Sequence, residues 1–320
     1  MTPFVHLHVH SQYSLLDGAC RLADLVAAAA EQEVKAVALT DHGVMSGVID
    51  FYKRCQEAGV KPIVGCEMYV ARESRLERRG ENRGNPNDHL VLLARNAEGY
   101  LNLARLTSLA HLEGFYAKPR IDKPLLAQHS RGLIGLAACL QGEVASRLAA
   151  GDEAGAVQAA GQYADLFGKD GFYLEFMDHG IPEQRAVNRS LGAVARKTGL
   201  PVVATNDVHY LKRQHAEAHE ALLCLQTQTV MSDPKRMRYP TPEFYLKSGD
   251  EMARLSAAFP EAVSNTLRVA DQCDLALPFG EIHFPRYETP DGLSPKAYIA
   301  RVGAEGLKRL YGIDNPDQPR

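Results

Sequence analysis

The residues best suited to do chemistry open the chain. In VHLHVHS (5–11), His6, His8 and His10 alternate, and the two-residue period of a strand puts all three on one face. Imidazoles are poor strand formers and poor core residues. Three on one face would be unsatisfied or mutually repelling unless a cation sat among them. Imidazole is the commonest ligand for zinc-like ions, so a metal site is the economical reading and a solvated edge strand the plain alternative. More candidates stand at the ends of later apolar runs: Asp41-His42-Gly43 after VKAVALT, Glu67 after IVGC, Cys139 after residues 133–138, and Asp207 and His209 after PVVATN. Asp17 lies in the turn after the first run. Singly these are ordinary, since a strand-end Asp is often a helix N-cap and a strand-end Cys a small core residue. Together they place His, Asp, Glu and Cys at the same end of successive units. His89 is the exception, because it precedes its run HLVLLA. Either the Arg-rich stretch before it folds over the site, or the strand boundary lies elsewhere.

The elements that must position these residues alternate in type. β-branched or apolar runs at 5–9, 34–40, 62–70, 90–94, 132–138, 172–176 and 201–206 predict strands. Helical patterns fall at 22–32, 47–58, 97–112, in two stretches up to about 167, and at 182–198 and 215–227. Seven such units with short connections describe a (β/α) barrel or a doubly wound sheet. The barrel is the better expectation, because strand-end polar residues converge at one barrel mouth but spread along the edge of an open sheet. Two further helices are expected at 249–256 and 260–273, then a Pro/Gly-rich linker from 277 and a last helix at 295–311. The expected division is 1–280 for the barrel domain and 281–320 for a linker and the first helix of a following domain.

Composition narrows the class. Of 320 residues 45% are hydrophobic and 23% charged, the balance of a soluble globular protein. The longest apolar stretch, 22–30, is broken by Asp24, so neither a membrane span nor a signal peptide is expected. The six cysteines (20, 55, 66, 139, 224, 273) form no CxxC pair and read as reduced thiols of a cytoplasmic protein. A formal charge of −3 argues against diffuse attraction to nucleic acid. Charge is nonetheless clustered. Arg72, Arg75, Arg78, Arg79 and Arg83 read as a solvated loop with Glu73, Glu77 and Glu81 as partners. Lys118, Arg120 and Lys123 follow Phe115-Tyr116, and aromatics beside cations suit a stacked base and a phosphate.

The wording around these residues resembles a known family. HLHVHS, LLDG, TDHG, GCE, a lone His, a strand-end Cys and NDVH look like the polymerase-and-histidinol-phosphatase (PHP) superfamily. SLLDG, GFYAKPRID, HGIPEQ, VVATNDVHY and SDPKR are similar to the N-terminal region of bacterial DNA polymerase III alpha subunits, from about residue 4 to the end of the chain. The resemblance implies a distorted seven-stranded (β/α) barrel, α/β in class, with a C-terminal helical extension and three divalent metal ions. By position, His8, His10, Glu67 and Asp207 would hold the first and carry catalysis. Glu67 would bridge to a second, shared with His89 and Cys139, while Asp17, His42 and His209 would hold the third. His6 stands where many relatives have Asp and is left outside. The mixed N/O/S donor set favours Zn²⁺, Mn²⁺ or Fe²⁺ over Mg²⁺.

The implied activity is a 3′→5′ exonuclease acting on DNA 3′ ends, with Tyr116, Lys118, Arg120 and His179 as candidate substrate contacts. Arg120 has a loop-bracing ion pair as its alternative, and His179 a structural, supporting or proton-donating role. His111, His129, His215 and His283 read as bystanders, and His219 has no assigned place. The implied partners are the rest of a polymerase chain and other replisome subunits. A polymerase palm needs paired carboxylates, and no Asp-x-Asp occurs in the chain, so polymerisation is not expected of it. Two other readings stand beside the exonuclease: a metal-stabilised scaffold that braces the polymerase or docks a proofreading subunit, and a small-molecule phosphatase of the histidinol-phosphate kind.

Overall fold

The computed structural model describes residues 2–78, 87–168, 170–282 and 284–314. Arg79, Glu81, Arg83 and His283 lie outside the described residues. The described chain separates into two compact units, Met1–Ala276 and Leu277–Arg320.

The first unit is built on seven strands: β1 (Ala36–Leu39), β2 (Lys61–Val70), β3 (Asp88–Ala94), β4 (Arg120–Ile121), β5 (Leu133–Leu136), β6 (Phe172–Phe176) and β7 (Val202–Ala204). They form one curled sheet in the order β1-β2-β3-β5-β6-β7, with β4 on β2. The helices are α1 (Leu22–Glu31), α2 (Val48–Glu57), α3 (Ala97–Leu112), α4 (Lys123–Gln128), α5 (Glu143–Ala149), α6 (Glu153–Phe167), α7 (Pro182–Thr198), α8 (Ala216–Gln226), α9 (Gly249–Leu255) and α10 (Pro260–Gln272). The second unit carries α11 (Pro295–Tyr311), opened by Ser294 as N-cap and closed by Gly312 in the left-handed region. Among the described residues no helix is long and apolar enough to cross a membrane.

Residues 5–9 do not form a laddered strand. They lie extended between the sheet's two ends, bridged at His6 to Val37 and at Val9 to Val208. The Ala38 amide donates to the His6 carbonyl (2.8 Å), and the His10 amide to the Val208 carbonyl (2.8 Å). This segment closes the curled sheet into a distorted barrel. The apolar residues between its histidines fill the interior, where Val5 and Leu7 pack with Ile63, Val91, Leu136 and Val203. Burying each such side chain contributes roughly 1.5–3 kcal/mol.

One strand reverses the expected direction. β3 is antiparallel to both β2 and β5, whereas β1–β2, β5–β6 and β6–β7 are parallel. A parallel neighbour needs a crossover connection, usually a helix, while an antiparallel one does not. No helical pattern separates residues 70 and 88, so an antiparallel β3 is the arrangement that stretch allows. The short β4 and α4 were not foreseen, because two residues of strand leave no periodicity to read.

Candidate metal centre

The reversal of β3 settles the place of His89. Its N-terminal end lies where the parallel strands present their C-terminal ends, and His89 stands opposite Tyr69 on β2. Asp17 comes from the turn after the closing segment, His42 from the exit of β1, Glu67 from within β2, Cys139 from the exit of β5, and Asp207 and His209 from the exit of β7. These seven line one cavity of about 290 Å³. His8 and His10, fully buried, stand behind that lining, against Glu67 and Asp207.

Glu67 sits at the centre. Its Oε1 lies 2.8 Å from His89 Nδ1 and 3.5 Å from His8 Nε2. Its Oε2 lies 2.7 Å from His42 Nδ1 and 3.4 Å from His10 Nε2. Asp207 Oδ1 lies 3.4, 3.2 and 3.5 Å from His8, His10 and His209. Asp17 reaches His42 at 3.3 Å and His209 at 3.7 Å. Donor atoms about 2.0–2.2 Å from a shared zinc-like ion are separated from one another by roughly 3–3.5 Å, and most of these distances match that spacing.

The strongest test of fit is what these atoms lack. Buried polar atoms are nearly always hydrogen-bonded. Yet His8 Nε2, His10 Nε2, Asp17 Oδ1, His42 Nδ1, Glu67 Oε2, Asp207 Oδ1 and His209 Nε2 are all buried without an aligned hydrogen-bond partner. All of these residues except Asp17, together with His89, fall into three donor groups: His8–His10–Asp207, His42–Glu67–His89, and His10–His42–His209. Cys139 lines the cavity but belongs to none of the three. Seven unsatisfied atoms in one place would be costly in an empty pocket and are what divalent cations require.

The far nitrogens are fixed. His8 Nδ1 meets Glu175 Oε1 at 3.1 Å, His10 Nδ1 meets Ser14 Oγ at 3.0 Å, and His209 Nδ1 meets the Asp207 carbonyl at 2.8 Å. With each Nδ1–H donating outward, the Nε2 lone pair is left facing the cavity, as in metal sites where a carboxylate or carbonyl orients the imidazole. Glu175 is held in turn by Thr205 Oγ1 (2.7 Å) and the Ala138 amide. Asp41 accepts from Ser14 Oγ (2.7 Å) and from the Ser11 amide and hydroxyl. Tyr239 hydroxyl donates to Asp17 Oδ2 at 3.2 Å, and His219 Nε2 lies 2.7 Å from the Asp17 carbonyl. Ala138 (φ 61°) and Asp207 (φ 43°) adopt left-handed backbone, a strain that side chains other than glycine tolerate where surroundings over-determine them.

Electrostatics holds the carboxylates and His10 in ligand-competent forms. His8, His42 and His209 are instead raised and Cys139 keeps its proton, so those four would release protons on binding a cation. Burial alone would raise the Glu67 carboxyl, but His89, His42 and His8 hold it well below the usual carboxylate range. Asp207 and Asp17 are likewise lowered against burial by the imidazoles beside them. Burial, with His42 and His209 adjacent, pushes His10 down to about 3, so its lone pair is free. Burial would lower His42, but Glu67 and Asp17 push it up to about 10. Burial, then Asp207 and Glu67, raises the Cys139 thiol well above its ordinary value.

Sequence reasoning missed Glu175, Ser14 and Tyr239 and gave Asp41 no role. Glu175 had a signal, being the one acid in the buried strand FYLEF. The candidate substrate contacts part company. Lys118 lines the cavity, its Nζ 5.2 Å from the Tyr69 ring centre. Arg120 is buried, and it donates to the carbonyls of Gly114 (3.0 Å), Arg75 (2.9 Å) and Glu77 (2.7 Å), with Tyr116 stacked on its guanidinium. Neither Arg120 nor Tyr116 lines the cavity, so both act as loop braces in this geometry. His179 uses both nitrogens, meeting the Asn206 carbonyl (2.9 Å) and Gln184 (2.8 Å), and burial pushes it down to about 4. It has no proton positioned to donate to a substrate. His6 points away, its Nε2 2.8 Å from the Lys247 carbonyl.

The chain is similar to several known proteins. DNA polymerase III subunit alpha of Treponema pallidum is 45% identical over 97% of this chain and 27% of its own length. The Thermus aquaticus protein of the same name is 44% identical over 96% and 26%. The chain thus spans about a quarter of the length of these curated relatives. Among solved structures, an amidohydrolase from Chromobacterium violaceum aligns over 64% of this chain and 87% of its own at 16% identity, with a TM-score of 0.39. The PHP domain model matches residues 6–179, which include the closing segment, the reversed strand and seven of the cavity's nine donors. On a match that covers more than half its length, the chain belongs to the PHP domain family.

Proposed function

We propose that this domain hydrolyses phosphodiesters at the 3′ ends of DNA, as a 3′→5′ exonuclease that works beside the polymerising portion of a replicative polymerase in the cytoplasm. The observation that carries this reading is the convergence of unsatisfied buried imidazole and carboxylate atoms on one cavity with a lysine in its wall. His8, His10, Glu67 and Asp207 would hold one divalent cation, Glu67, His89 and Cys139 a second, and Asp17, His42 and His209 a third. The donors suit Zn²⁺, Mn²⁺ or Fe²⁺. When bound, such cations supply Lewis acidity, neutralising phosphate charge and making water acidic enough to act as a nucleophile near neutral pH.

The chain's own residues do the rest. Glu67 offers one oxygen to each side of the cluster, so it can span two cations. Glu175 and the Asp41–Ser14 pair keep His8 and His10 aimed inward. Lys118 presents its ammonium at the cavity wall, where it can orient a phosphate. Burial lowers its pKa, and Asp17 opposes that shift. The names of the relatives support DNA as substrate, and residues 281–320 would connect the domain to the polymerising portion and to other replisome subunits.

The test is the chain supplied with Mn²⁺ or Zn²⁺ and offered 3′-labelled single-stranded DNA and a phosphomonoester in parallel. Release of nucleotides from DNA, abolished in His10→Ala, is expected. Turnover of the monoester alone would favour a histidinol-phosphatase type of activity. A second reading, a scaffold braced by its metals, draws on the complete burial of His8 and His10. It would prevail if chelation lowered the melting temperature of a protein that cleaves neither substrate.

A further inference from the structure

We infer that a groove on the outer side of α7 holds the backbone of single-stranded DNA, as a contact surface separate from the metal cavity. The groove, about 460 Å³, lies between α7 and the turn that joins α9 to α10. Its rim carries Arg185, Arg189 and Arg196, all exposed, and its floor carries Phe176 and Phe259, whose rings meet at 5.3 Å.

The three arginines are not engaged in ion pairs within the described chain. Among the described residues, Arg54, Arg72, Arg75, Arg147, Arg236 and Arg301 each have a carboxylate partner. Arg185, Arg189 and Arg196 have no carboxylate within ion-pair distance there. The one acid in the lining, Asp178, accepts from the Gly180 amide at 2.8 Å and caps its own turn. With a rise of about 1.5 Å per residue, positions four and seven apart place the three charges roughly 6 and 10 Å from one another along the helix. That is a row rather than a cluster, suited to a chain of charges rather than to one anion.

The Phe259 ring decides between polyanions. An acidic peptide satisfies guanidinium groups but has nothing to set against an aromatic floor. Single-stranded nucleic acid has a phosphate for each cation and a base face for the half-buried Phe259, which the buried Phe176 backs from beneath. The whole chain carries a formal −3, so diffuse charge does not attract DNA and the binding must be local. Phe176 ends β6 at the same end of the barrel as the metal cavity. Cys139 and Asn188 line a small recess of about 20 Å³ that lies between the cavity and the groove. A strand lying in the groove would therefore run toward the mouth. The choice of DNA over RNA rests on the function proposed above, and the presence of the site does not.

The full chain, loaded with Mn²⁺, is titrated against fluorescent oligothymidylate whose 3′ end is protected by phosphorothioate linkages, and anisotropy is read over a range of salt. Replacing Arg185, Arg189 and Arg196 together by Ala is expected to weaken binding about 10-fold or more and to reduce the slope of log affinity on log salt by about 2. The triple Lys variant is expected to keep that slope. The inference is overturned if the Ala variant binds within about two-fold of the parent at the same slope, or if oligoglutamate displaces the strand as well as unlabelled oligothymidylate does. Hydrolysis of a dinucleotide, too short to reach the groove, should be unchanged in the Ala variant. A parent that binds through the groove yet cleaves no dinucleotide refutes the hydrolase reading and leaves the groove standing.

Discussion

Two charged regions of the first unit sit side by side and are satisfied in opposite ways. On the flank, Arg72 pairs with Asp88 (2.7 Å), Arg75 with Glu113 (2.6 Å) and Asp122 (3.1 Å), Lys123 with Glu143 (2.7 Å), and Arg120 with three carbonyls. In the cavity, seven buried atoms have close neighbours but no aligned hydrogen bond. Charges that complete one another inside the chain brace it. Charges that converge and remain incomplete are arranged for something the chain does not itself contain. This is why Arg120, which reads in the sequence as either a phosphate contact or a loop brace, is a brace in this fold, and why the cavity is the candidate metal centre.

Removing the cations should separate the two regions most strongly. A site saturated about 1,000-fold above its Kd adds about 4 kcal/mol to stability, so chelation should lower the melting temperature by roughly 8–16 °C, measured by calorimetry. An unchanged melting curve would break the comparison, since the orphaned atoms would then need no ion. Next in size, Arg120→Ala strands three carbonyls and should cost about 2–3 kcal/mol in denaturant titration, with metal content by elemental analysis unaltered. Loss of metal in that variant would mean that the flank and the cavity are one system.

Glu175→Gln keeps the volume and an acceptor for the Ala138 amide but weakens the hold on His8 Nδ1. It should reduce metal affinity about 10- to 100-fold, read by competition with a fluorescent chelator. The smallest effect is expected at the cavity wall. Lys118→Ala should raise KM for DNA on the order of 10-fold with little change in kcat, and an equal fall in kcat would give Lys118 a role in the reaction step itself.

The donors themselves were legible because their chemistry is local. Histidines at period two, and acids at the ends of apolar runs, announce a metal site whatever the fold does with them. The supporting residues were less legible. Glu175 lies in β6 and His8 in the closing segment, 167 residues apart, and only the curl of the sheet brings them to 3.1 Å. Arg120 read equally well as a phosphate contact or as a brace, and the three carbonyls that occupy it belong to two loops whose paths no periodicity reveals.

Residue type and spacing alone therefore determined that this chain gathers imidazoles, carboxylates and a thiol at the ends of alternating strands and helices. Tertiary structure decided which of them meet. Strand direction is a property of pairing between distant segments, and the antiparallel setting of β3 is what turns His89 from an outlier at the wrong end of its strand into a neighbour of Glu67 at 2.8 Å.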